Sequence, residues 1–247
     1  MNTKLLKTAA ALALPLAVLS CSKQAGGGEG FAAFSLATDG IVAEVTRSNV
    51  SDYTELPSAG DFRLQISDAQ SSPVYTGLLK DYDASTPLKV GNYSVTASYG
   101  SSSDEGFGKP YVSGSADFGV AGGETKEVKI RASLANTIVR FAFSDAFKAY
   151  YTDYSFTLTT GGGTVIEFPK SETRAAFIDA YKFSVSGTLT NQAGKLQTFN
   201  KSFDKSIDAG KCYTLKFDVP NVGAGRITVI FDDTVETVTL TDIELND

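Results

Sequence analysis

The residues of this chain that could do chemistry are mostly carboxylates. There are 28 Asp and Glu against 22 Lys and Arg, with two cysteines and no histidine among 247 residues. Without an imidazole there is no Ser-His-Asp or Cys-His nucleophile, no His-ligated zinc or haem, and no neutral-pH base of the usual kind. Two carboxylates alone can hydrolyse a glycoside, but nothing in the spacing of the acids singles out a pair. Asp232-Asp233 comes nearest to a calcium cluster and lacks the spacing of a calcium loop, so no metal is expected. The glycine strings do not read as phosphate cradles. Gly161-Gly162-Gly163 is not followed by Gly-Lys-Ser/Thr, and Gly223-Ala224-Gly225 lacks the third glycine of a dinucleotide fingerprint; both read as hairpin turns. Gly210-Lys211-Cys212 has a thiol where magnesium needs a hydroxyl. No cofactor and no catalytic residue are expected, and a net charge of −6 argues against nucleic acid as a partner.

Binding residues are a better prospect. Tyr75, Tyr82, Tyr93, Tyr99, Phe107 and Tyr111 form the richest aromatic stretch, and alternation assigns most of them to core faces. The loop from Gly100 to Pro110, GSSSDEGFGKP, is polar and glycine-rich, and it carries Phe107 where no alternating run would bury it. Phe107, Lys109 and Tyr111 are therefore the candidate ligand residues. Cys212 falls on the polar phase of its strand, which predicts a small buried thiol covered by a second sheet or a neighbouring domain.

The first 20 residues hold Lys4 and Lys7, then an apolar run from Thr8 to Leu19, too short to span a bilayer. Val18-Leu19-Ser20-Cys21 resembles the lipobox of bacterial lipoproteins, in which the cysteine is acylated and becomes the first residue. Residues 1–20 are accordingly read as a signal peptide, Cys21 as the lipidation site, and residues 21–30 as a lipidated cysteine with a flexible Gly-rich tether. Loss of Lys4 and Lys7 makes the mature chain more acidic still. With Cys21 acylated, Cys212 has no disulfide partner.

The elements that must carry these residues are strands. Phe62/Leu64/Ile66, Tyr93/Val95/Ala97/Tyr99, Tyr154/Phe156/Leu158 and Tyr213/Leu215/Phe217/Val219 each alternate with polar or small residues, and Ile227/Val229/Phe231 alternate with Thr228 and Ile230. Clean alternation predicts antiparallel sheets with one polar face. Helix signals are confined to Ser144-Asp145 before Ala146, and to Ser171–Ala176. The expected class is all-β: two antiparallel β-sandwich domains, over 31–131 and 132–247, with the boundary near Arg131 to Asn136 and little freedom between the halves.

Six strings carry a resemblance: FAAFSLATDG, DFRLQISDAQSSPVYTG, PLKVGNYSVTASYG, KPYVSGSADFGVAGGETKEVKI, ASLANTIVRFAFSDAFKAYYTDYSFTLTT and AGKCYTLKFDV. Together they resemble surface lipoproteins of unknown function from Bacteroidota-type bacteria, grouped with cell-adhesion proteins and related to fimbrillin-like β-sandwiches. The pattern from Leu88 to Ala97 is shared with many prealbumin-like sandwiches. The resemblance implies a non-enzymatic, outer-membrane, cell-surface protein in adhesion or a pilus, with other pilus subunits or surface glycans as partners. The alternative is an accessory glycan-binding lipoprotein of a polysaccharide-uptake system. In fimbrillins assembled by strand exchange, cleavage after an arginine removes the first strand, which makes Arg47 a candidate processing site. Asp233-Thr234-Val235 resembles a short O-glycosylation acceptor of these bacteria, placing that modification on Thr234.

Overall fold

The computed structural model describes residues 28–37, 42–43, 48–204, 207–219, 226–231, 234–239 and 241–242. In chain order the strands are β1 (Glu29–Ala37), β2 (Val42–Ala43), β3 (Ser48–Asn49), β4 (Arg63–Asp68), β5 (Pro73–Leu78), β6 (Leu88–Lys89) and β7 (Gly91–Tyr99). They continue with β8 (Gly106–Phe107), β9 (Val112–Val120), β10 (Thr125–Arg131), β11 (Ser133–Leu134), β12 (Thr137–Phe143) and β13 (Tyr151–Thr160). The last are β14 (Val165–Pro169), β15 (Ala176–Ile178), β16 (Phe183–Asn191), β17 (Leu196–Phe203), β18 (Cys212–Asp218), β19 (Arg226–Phe231), β20 (Thr234–Thr239) and β21 (Thr241–Asp242). One helix, α1 (Asp145–Tyr150), is capped by Ser144, whose hydroxyl accepts from the Phe147 amide at 3.0 Å. The Ser171–Ala176 signal makes no helix: the Glu172 carboxylate takes the Thr173 and Arg174 amides, and β15 follows directly. No helix among the described residues is long and apolar enough to cross a membrane.

The fold is the expected all-β sandwich, twice over. In the first half a sheet β11-β9-β7-β4-β5 faces a sheet β10-β1-β6, and Leu64, Ile66, Val95 and Val112 from one meet Ala32, Leu88, Val128 and Ile130 from the other. In the second half a sheet β20-β19-β18-β12-β15-β8 faces a sheet β14-β13-β16-β17-β21. Val139, Leu215 and Phe217 there meet Phe156, Leu158, Val185 and Phe199. The chain passes from one sheet system to the other between Leu134, paired with Val112, and Thr137, paired with Ile178.

Two findings correct the expectation of purely antiparallel sheets. β1 runs parallel to β10, from Phe31↔Thr125 to Ala37↔Arg131, and β12 runs parallel to β18, from Ile138↔Cys212 to Phe143↔Phe217. Each pair is closed only after many intervening strands have been laid down, as a parallel connection requires. Alternation survives in these strands because a period of two is the same whichever way the partner runs.

The two cores share residues. Ile138, Phe177 and Cys212 stand on the second half's sheet yet pack into the first core, while their neighbours Val139, Ile178 and Tyr213 face the second. At this end the sheet is buried on both sides. Cys212 is 1% exposed, and its thiol donates toward the Tyr53 hydroxyl at 3.5 Å. The neighbouring half is what covers its polar-phase position.

Candidate functional site

The loop from Gly100 to Pro110 is pinned at its neck. Gly100 has φ +76, and a Cβ there would lie 2.2 Å from the Pro110 carbonyl oxygen. From that neck the loop reaches into the second half. β8 adds to β15 in the register Phe107↔Ala176. The Phe107 ring meets Phe168 edge-on at 5.0 Å and carries the Arg174 guanidinium 4.5 Å from its centre. Phe107 is half-buried among protein partners rather than presented as a stacking platform. Lys109 is exposed, but its carbonyl accepts from the Asn136 amide at 3.0 Å, and the Tyr111 amide donates to the Asn136 carbonyl at 3.1 Å. Asn136 is 1% exposed, so this one buried side chain fixes the C-terminal end of the loop on both sides of Pro110. Of the other sequence-derived candidates, Cys21 and Arg47 lie outside the described residues, and Thr234 is the first residue of β20.

Sequence reasoning missed the residue that fastens the loop. The Glu105 carboxylate accepts from the Asp179 amide at 2.9 Å, the Tyr181 hydroxyl at 2.5 Å and the Thr160 hydroxyl at 2.8 Å. Burial raises its pKa, and the hydrogen bonds from Tyr181 and the Asp179 amide more than offset this, leaving it below the ordinary carboxylate value. Nearby, the Arg174 guanidinium and amide hold Glu172 down to about 2. Partners lying 55 to 76 residues away in sequence give no local signal.

The open surface lies elsewhere. The outer face of the sheet β14-β13-β16-β17 is a lattice of short polar side chains, with Ser155 opposite Thr188 and Thr157 opposite Ser186, and then Thr188 opposite Thr198 and Ser186 opposite Asn200. A groove of about 680 Å³ bounded by Asp153, Pro169, Lys170 and Leu196 shares Ser155 and Thr188 with a smaller depression of about 290 Å³ that continues to Asn200. Lys170 donates to the Thr152 carbonyl at 2.7 Å and stands 5.8 Å over the Tyr154 ring. The Ser155, Ser186 and Thr188 hydroxyls have no protein partner among the described residues, so each can both donate and accept. Such a face is suited to holding a polar ligand. Among the described residues no three His, Cys, Asp or Glu side chains gather as metal ligands.

Position in the fold adds to this. β1 starts beside the Val120 end of β9, whereas Tyr99, Val112 and Leu134 mark the opposite end, where the second half begins. Within the second half Thr160 and Phe183 lie at that junction, and Asp153, Thr190 and Leu196 at the far end. The groove and the start of β1 are therefore at opposite ends of the molecule.

A family model described as "Domain of unknown function (DUF4493)" matches residues 28–247. Among solved structures, the chain is similar to a "putative cell adhesion protein" from Bacteroides eggerthii (12% identity, TM-score 0.48, 87% of this chain and 96% of that one). It is similar to a fimbrial assembly protein from Parabacteroides distasonis (10% identity, TM-score 0.47, 73% and 92%). A third is one of the "putative polysaccharide binding proteins" of Bacteroides thetaiotaomicron (10% identity, TM-score 0.41, 85% and 98%). No curated protein matches the sequence.

Proposed function

The chain belongs to the DUF4493 family, and on that premise we propose that it is a non-enzymatic adhesion protein of the bacterial cell surface, held at the outer membrane by lipid on Cys21. The observation that carries this reading is the polarity of the molecule. The chain enters at one end through β1, directly after the Gly-rich stretch that follows Cys21, and the hydroxyl-lined groove lies at the other end. Several acyl chains at ~0.8 kcal/mol per buried CH₂ hold such a protein without help from the fold. The groove is then displayed outward to surface glycans or other polar partners.

β1 favours a chain that keeps its first strand over one that sheds it by cleavage at Arg47. It is the middle strand of its sheet, Ala32 is fully buried, and a Cβ on Gly30 would lie 2.2 Å from the Ala121 carbonyl oxygen. Recovery of the protein from native cells, with unboiled gel separation and N-terminal sequencing, tests this. The expected result is a single acylated band beginning at Cys21. A detergent-resistant ladder beginning at Ser48 would overturn it in favour of a strand-exchanged pilus.

A further inference from the structure

Among the described residues two strand pairs are parallel in a molecule otherwise paired antiparallel, and the first of them joins the point where the chain enters to the point where it leaves for the second half. Along β1 the odd residues face β10. The Phe31 amide donates to the Glu124 carbonyl at 2.8 Å at one end, and the Ala37 carbonyl accepts from the Ala132 amide at 3.3 Å at the other. β1 enters through Glu29 at the end of the first half remote from the second half, and β10 leaves through Arg131 toward the junction, by way of the two-residue β11, which holds to β9 before the chain crosses to the second half. Tension between the N-terminal side and the second half therefore pulls β1 backward and β10 forward along their common axis. In that direction the ladder bonds cannot open one after another, because every bond between Phe31 and Ala37 is sheared together.

We infer that the β1–β10 pair is a shear clamp, and that bearing tensile load between an N-terminal anchor and the second half is a function of this fold. Packing supports the ladder. The Phe34 ring is held edge-on between Tyr82 at 5.0 Å and Phe118 at 5.4 Å, so sliding β1 drags an aromatic ring out of an aromatic slot. β6 grips the other edge, where the Val90 amide donates to the Gly28 carbonyl at 2.9 Å. Beyond the junction the arrangement recurs in β12 and β18, with the Ile138 amide donating to the Lys211 carbonyl at 2.9 Å and the Ser144 amide to the Phe217 carbonyl at 3.0 Å.

The direction of load rests on the anchored reading above, but the clamp itself is a property of the purified chain and is tested without lipid. The Cys21→Ser protein carries one handle at its N-terminus and a second on a thiol introduced by Arg131→Cys or by Glu124→Cys. Both positions are exposed, at opposite ends of β10, and the native Cys212 is buried. Pulling against position 131 shears the pair, and pulling against position 124 peels it from one end. At a common constant force the expected lifetime of the folded state is roughly tenfold longer or more in shear, because breaking even two or three ladder bonds at once rather than singly multiplies the barrier. Phe34→Ala should shorten the shear lifetime. Equal lifetimes in the two geometries would overturn the clamp and leave the anchored reading standing, whereas a mature N-terminus at Ser48 in cells would remove β1 and overturn both the anchored reading and the load-bearing role.

Discussion

Glu105 shows how much one side chain can organise without belonging to any pattern. Its carboxylate is held by a backbone amide and two hydroxyls of the second half, and hydrogen bonds to a charged group contribute ~1.5–3 kcal/mol where they are shielded. Glu105→Ala should lower stability at neutral pH by about 2 kcal/mol, and Glu105→Gln by about 1 kcal/mol, measured by urea unfolding. The sign of the pH dependence follows from a pKa that is lower in the folded chain than the ordinary 4.5. The contribution is complete above that ordinary value and is lost as pH falls through the folded one. Glu172, held down to about 2 by Arg174, extends the same loss of stability downward in pH. The gap between wild type and Glu105→Gln should accordingly narrow below pH 4.5; a gap that stays constant down to the acid limit would show that shape, not charge, is what Glu105 supplies.

At the level of elements, the neck of the loop is the sensitive point. Gly100 combines φ +76 with an approach to the Pro110 carbonyl that leaves no room for a methyl group. Gly100→Ala should cost about 2 kcal/mol or more and raise amide exchange in residues 100–110 and in their partner β15, while Gly123→Ala, at a similar φ of +74 with open space around it, should cost less. A larger loss at Gly123 than at Gly100 would contradict the crowding argument. Such turns, together with the alternating runs through Leu64, Val95, Leu158 and Leu215, were legible in the sequence because both signals are local. Partner direction was not legible: β12 alternates identically against a parallel β18 or an antiparallel β15. The open hydroxyl face of β13 and β16 was visible only as the polar phase of a strand, since Ser155 and Thr188 become a groove once their strands are paired. Phe107 carries no burial signal in the sequence because β8 is too short to alternate and its partner strand lies some 70 residues on.

For the molecule as a whole, the question is whether two cores mean two folding units. Phe177 is fully buried in the first core but stands on β15, and its neighbours Ala176 and Ile178 are fully buried in the second. Neither half can open there without exposing apolar surface of the other. Asn136, bonded to the loop of the first half through its side chain and to the Gly210 amide of the second through its carbonyl, closes the same seam. Thermal unfolding should therefore be a single cooperative transition, with amides of β7 and β16 exchanging at a common limiting rate. Phe177→Ala separates this from two independent domains of similar stability. A buried Phe→Ala change costs about 3–5 kcal/mol. In a coupled molecule that loss should appear equally in the exchange of β7, in the first half, and of β16, in the second, although Phe177 packs in only one of the two cores. If β16 kept its protection while β7 lost it, the halves would be separate units, and the seam at Ile138, Phe177 and Cys212 would be contact without coupling.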